Sequence, residues 1–164
     1  MSAPFRRSSA PLLLLQSLVA LLLALPAACS AATGALRSDE ELELARNRQR
    51  WVSAGLRDYE YDFQRMCFCL PEATERVHIV VRNDAVVSVV RTRDGQPAST
   101  RVVAWPRVED LFDDVRRRLD QGTDRLEVRY DPTYGYPRSI VADVILMAAD
   151  DEYSLAAENL RRLP

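Results

Sequence analysis

Three side chains have the types and spacing for thiol or soft-metal chemistry: Cys67 and Cys69, one residue apart, and His78, the chain's single histidine. Paired cysteines in an oxidising compartment form a structural disulfide, exchange with partner thiols, or ligate a soft metal such as copper or zinc, here with His78 as the third ligand. In a regular strand the two β-carbons would stand ~6.6 Å apart on one side, whereas a disulfide wants ~3.8 Å. A bond between them therefore requires a turn or bulge, which Pro71 helps to make. A structural disulfide is the first expectation. Exchange through a small strained ring and the metal set Cys67, Cys69 and His78 are the alternatives.

The rest of the catalytic inventory is sparse. All 22 basic residues are Arg, so Schiff-base catalysis and a P-loop lysine are excluded. A Ser-His-Asp arrangement would have to run through His78, and no Gly-rich phosphate cradle is present. With 24 acidic residues and a net charge of -2, the composition argues against a nucleic-acid partner, which needs a basic patch or stripe. No cofactor is expected.

Two further groups lie late in the chain. Asp131, Asp143, Asp150, Asp151 and Glu152 carry the oxygens a hard cation takes, but their spacing matches no calcium loop, and acids in turns and at strand ends are ordinarily solvated or capping. The candidate binding loop, Tyr130, Asp131, Tyr134, Gly135, Tyr136 and Pro137, reads equally as a binding rim or as a rigid turn packed on Trp51.

Elements must position these residues. Ser38-Asp39-Glu40-Glu41 is a capping box, opening a helix whose Leu42, Ala45, Gln49, Val52 and Leu56 form one stripe, with Leu44 and Trp51 beside it. From Tyr59 the period changes to two, as Tyr59, Tyr61 and Phe63 alternate with Glu60, Asp62 and Gln64. Val77, Ile79 and Val81 make a second strand, Asn83-Asp84 a tight turn, and Val86 to Arg91 the antiparallel return. Asp94-Gly95-Gln96-Pro97 breaks the sheet. A helix follows Pro106 with Val108, Leu111, Phe112, Val115 and Leu119 on its apolar face, closed by Gly122. Leu126, Val128 and Tyr130 give another strand, with Ile140, Ala142, Val144 and Leu146 as its partner. Asp150 to Pro164 fits either a last strand or a short helix. The fold class is α+β: an open, mostly antiparallel sheet of five to six strands with two helices packed on one face.

Arg6 and Arg7 precede an apolar run, Leu12 to Leu25, too short for a bilayer span but suited to a signal peptide. Ser8, Ser9 and Ala10 after the arginine pair favour the general secretory route over twin-arginine export. Leu25-Pro26-Ala27-Ala28-Cys29 resembles a bacterial lipobox, with Pro26 where that pattern has an aliphatic residue. The resemblance implies residues 1–28 as a signal peptide, Cys29 as the lipidation site, 29–37 as a tether and 38–164 as one domain. Ordinary cleavage near Ala28 or Ala32, leaving a soluble periplasmic or secreted protein, is the alternative. Using Cys29 in a thioether leaves an even pair, Cys67 and Cys69.

Trp51, Tyr59-x-Tyr61, Cys67-x-Cys69, Leu111-Phe112, Tyr130-Asp131 with Gly135-Tyr136-Pro137, and Asp143 with Asp150-Asp151-Glu152 resemble in order and spacing an uncharacterised family of bacterial secreted proteins and lipoproteins, domain of unknown function 6174. The resemblance runs from about Arg50 to Tyr153 and implies an envelope address but no activity. The expected function is that of a noncatalytic envelope lipoprotein, held to the membrane by its lipid and binding a protein or envelope component. The competing expectation is thiol-disulfide exchange or metal handling through Cys67, Cys69 and His78.

Overall fold

Alternating polar and apolar side chains build the centre of the molecule. The computed structural model describes residues 39–99, 104–143 and 152–164. Within the compact unit Glu41–Pro164, the strands are β1 (Tyr59–Cys67), β2 (Val77–Arg82), β3 (Ala85–Arg91), β4 (Arg125–Tyr130), β5 (Pro137–Asp143) and β6 (Glu152–Arg162). They form a single sheet in the order β3-β2-β1-β6-β5-β4, every pairing antiparallel. A 3-10 turn, Pro71–Ala73, joins β1 to β2. Helix α1 covers residues 39–54 and helix α2 is Val108–Gln121. The α+β sheet-and-helix expectation is met at six strands and two helices.

The described part of the 150–164 segment, open between strand and helix on its sequence, carries strand β6 (Glu152–Arg162), which lies inside the sheet. β6 pairs β1 on one side and β5 on the other, so its backbone groups are satisfied by two neighbours and not by a helical ladder. It kinks at Asn159, whose φ is 55°, beside a register shift against β1 between Glu60 and Asp62. The β2–β3 turn forms at Asn83 and Asp84, both with positive φ, as a two-residue hairpin demands.

Tyr59, Tyr61 and Phe63 point to the helix side and are fully buried with Val77, Ile79 and Val81. Their rings run from Trp51 through Tyr59, Tyr61 and Phe63 to Trp105 in edge contacts, tilted between Tyr59 and Tyr61, with centroids 5.2 to 6.5 Å apart. Each such ring removed from water is worth about 1.5–3 kcal/mol. Helix α2 adds Val108, Leu111, Phe112, Val115 and Leu119, the apolar face its spacing predicts. Asp110 accepts from the Arg107 amide at 2.8 Å at the helix start, and Gly122, at φ 68°, ends it.

Helix α1 corrects one expectation. The stripe Leu42, Ala45, Gln49 and Val52 faces solvent, with Leu42 57 % and Val52 62 % exposed. The buried face is Leu44, Asn47 and Trp51, two positions on and roughly 200° around the helix. Trp51 decides the orientation, because its large ring packs on Tyr59 and its indole N–H reaches Glu109. Leu56, just beyond the helix, is buried as expected. Ser38, Val144, Leu146, Asp150, Asp151 and the export segment with Cys29 lie outside the described residues.

Candidate functional site

β1 ends at Cys67, and the chain turns at once: the amide of Cys69 donates to the carbonyl of Cys67 at 3.0 Å. This tight turn brings the two Cα atoms to 5.4 Å and the sulfurs into covalent contact at 2.02 Å. The bend that a bond between these cysteines requires is therefore present. The intervening residue, Phe68, is 82 % exposed, and its neighbours Met66 and Leu70 are also largely exposed. Three large apolar side chains thus crowd one covalently closed turn. Beside them a groove of about 430 Å³ lies over the ends of β5 and β6, lined also by Val141 and Ala142 and by the charged residues Arg125, Asp143 and Glu152. Asp143 sits opposite both Arg125 and Glu152 in the ladders.

His78 does not join the cysteines. It pairs in register with Asp62, five positions along β1 from Cys67, about 16 Å at ordinary strand rise. Its face is the one opposite the aromatic core. There Nδ1 lies 2.9 Å from Asp62 and Nε2 3.4 Å from Glu60. Among the described residues, the ring nitrogens of His78 meet these two carboxylates and no hydroxyl or thiol, so none of these residues is a nucleophile paired with it as base. The metal set Cys67, Cys69 and His78 is not assembled, and among the described residues no group of three or more His, Cys, Asp or Glu is placed to hold an ion. Burial of Asp62 works to raise its pKa. The hydrogen bonds from Asn159 and His78 and the charges of His78 and Arg76 outweigh that and hold the carboxyl below its usual range. Arg76 and Arg161 meet Glu158 and Glu60 at 2.7 and 2.6 Å on this same face.

The acidic residues divide. Asp131 and Asp143 lie at opposite ends of the β4–β5 hairpin, about 20 Å apart by strand rise. Asp131 caps its own turn, accepting from the amides of Thr133 and Tyr134 at 2.9 and 2.6 Å. Of the two readings of the Tyr130–Pro137 loop, the packing favours the rigid turn. Gly135, Tyr136 and Pro137 are buried, and Tyr136 makes an edge contact with Trp51 at 6.3 Å. Gly135, at φ 80°, lies so close to α1 that a β-carbon there would come within 2.5 Å of the Asn47 carbonyl oxygen.

Sequence reasoning passes over two features here. One is the exposure of Met66, Phe68 and Leu70. Its signal is an apolar alternation continuing through the cysteines beyond the point where the strand stops. The other is the approach of α1 to the β4–β5 turn, which Gly135 alone signals.

A second carboxylate system lies on the helix side. Tyr153 donates to Asp114 in a short hydrogen bond and accepts from Arg118 at 2.9 Å. Burial and the Asp114 carboxylate push the Tyr153 hydroxyl up to about 12. These contacts tie the start of β6 to α2 and engage the Tyr153 hydroxyl as both donor and acceptor.

The fold and its sites define a small α+β protein whose one sheet is covered by helices on one side and closed by a disulfide turn at one end. The chain belongs to the family of unknown function DUF6174, whose model matches residues 43–162. No curated protein and no solved structure matches it.

Proposed function

We propose that the mature chain is a noncatalytic module, tethered to a membrane of the cell envelope by a lipid on Cys29, that binds a protein or another envelope component. The Phe68 turn carries this reading. A phenylalanine held out in water is unfavourable by itself, and burying one against a partner returns about 1.5–3 kcal/mol. Closure of the turn by Cys67 and Cys69 restricts the tip beforehand, so less freedom is lost on docking. The adjoining groove, with apolar and charged side chains together in its lining, has the composition of an interface.

A photoreactive phenylalanine at position 68, in the cells that make the protein, tests the binding. A discrete crosslinked partner at 68, absent when the same probe replaces Val87 on β3, supports the reading. No adduct at 68, or identical adducts at both positions, sinks it. Intact mass of the membrane-extracted protein tests the address: a diacylglyceryl adduct on Cys29 is expected, and an unmodified chain beginning after Ala28 or later removes the anchor.

The second reading is thiol-disulfide exchange, favoured by one observation: the Cys67–Cys69 bond lies in an exposed turn. An exchange enzyme would trap a mixed disulfide in the Cys69→Ser variant and lose activity in the double Ser variant. The binding module retains its Phe68 crosslink when both cysteines are replaced, though with less of it.

A further inference from the structure

At the end of the sheet away from the disulfide, α1 and the β4–β5 turn enclose a cleft of about 450 Å³. Arg46 and Arg50, one helical turn apart on α1, line one wall; Tyr130, Asp131 and Pro132 line the other. Like charges at this spacing repel. Arg48 between them is paired with Asp113 at 2.9 Å, yet among the described residues neither Arg46 nor Arg50 forms a salt bridge. Among the described residues, the Arg50 side chain donates a hydrogen bond to the Asn47 side-chain oxygen, at 3.2 Å, and to no other group.

The walls are built in advance. Asn47 is buried, and its side-chain amide donates to the Glu43 carbonyl at 2.9 Å. The opposing turn is held against it by the close approach of Gly135 and is braced internally by Asp131. Both arginines therefore line the cleft opposite a fixed turn that contains Pro132 and Tyr130, whose ring also stacks on Phe112.

We propose that this cleft binds a single oxyanion, a carboxylate or phosphate monoester, carried on a flat or apolar body that lies against Tyr130 and Pro132. Guanidinium forks match both oxyanions in charge and geometry. Glu43 and Asp131 bound the cleft with negative charge, which admits one anionic group and repels a polyanion. The site is independent of the Phe68 turn, at the opposite end of the sheet.

Titration of the purified full chain with phenyl phosphate and with benzoate, followed by amide NMR shifts, tests it. Saturable binding of either probe, with shifts centred on Arg46, Arg50 and Tyr130, is expected; the better probe identifies the oxyanion. The Arg46→Gln/Arg50→Gln variant, whose exposed helix positions tolerate Gln, should keep its circular dichroism and lose about tenfold or more in affinity. Arg50→Lys should fall between, since a point charge replaces the fork. Binding of neither probe, binding unchanged in the double Gln variant, or tighter binding of polyphosphate than of phenyl phosphate overturns the proposal.

Discussion

The indole Nε1 of Trp51 donates to Oε1 of Glu109 at 2.8 Å, joining α1 to the first turn of α2. The other oxygen of Glu109 accepts from the Tyr59 hydroxyl at 3.2 Å, and that hydroxyl in turn accepts from the Val108 amide at 3.0 Å. One carboxylate thus satisfies donors from a helix and from the central part of the sheet, and it lies where a helix N-terminus favours negative charge. Replacing Glu109 by Ala leaves a buried indole N–H and a buried hydroxyl short of an acceptor. We expect a loss of about 2–3 kcal/mol in urea unfolding, with Glu109→Gln losing less because one acceptor oxygen remains. Equal losses for the two variants would show that the carboxylate's hydrogen bonds are not what matters.

Gly135 and Gly95 offer a controlled comparison. Both have positive φ, 80° and 70°, so Ala carries a similar backbone penalty at each, about 1 kcal/mol. A β-carbon at Gly95 meets nothing within 4 Å, whereas at Gly135 it lies 2.5 Å from the backbone oxygen of Asn47. Gly135→Ala should therefore cost about 1–3 kcal/mol more than Gly95→Ala in chemical denaturation. Equal costs would mean that the turn is not clamped on α1.

Much of this architecture is legible in the sequence where its cause is local. The period-two runs at Tyr59–Phe63 and Val77–Val81, the Asn83-Asp84 turn and the α2 face from Val108 to Leu119 each follow from short-range spacing. The buried face of α1 is not legible in that way. Leu42, Ala45 and Val52 offer a stripe as apolar as the one that is used, and the choice is made by contacts of Trp51 with Tyr59 and with Glu109, 58 positions away. The placement of β6 is likewise set by its partners, since its Leu, Ala and Glu residues suit a helix as well as a strand. At the candidate site, the need for a turn between Cys67 and Cys69 follows from bond geometry. The separation of His78 from that turn depends on the β1–β2 register, which residue types do not encode.

Two of the perturbed acids, Asp62 and Tyr153, give stability opposite slopes with pH. Asp62 is held below its usual range in the folded chain, so its contribution is present above the unfolded carboxylate value near 3.8 and disappears as pH falls through the lower folded value. Tyr153 is raised from 10.0 to about 12, so the folded chain holds its proton longer than the unfolded chain and stability falls as pH rises across that window. Denaturant midpoints measured from pH 2 to 5 should depend less on pH in Asp62→Asn, and those from pH 9.5 to 12 less in Tyr153→Phe. Unchanged slopes in either variant would place the linkage on other groups.

Cys67 and Cys69 close a loop of only three residues, so the chain entropy removed from the unfolded state is small, equivalent to about 1.5 kcal/mol. Replacing both by Ser should lower stability by about that amount and leave the core intact, because Cys69 lies at the surface while Phe63, the nearest buried ring on β1, packs elsewhere against Trp105. The local effect should exceed the global one. The Cys69 amide, bonded to the Cys67 carbonyl across the turn, should lose its hydrogen-exchange protection in the double Ser variant, while amides of β1 from Tyr59 to Phe63 keep theirs relative to global stability. Loss of protection throughout β1 would instead make the disulfide a support of the central sheet and not a clasp on the Phe68 tip.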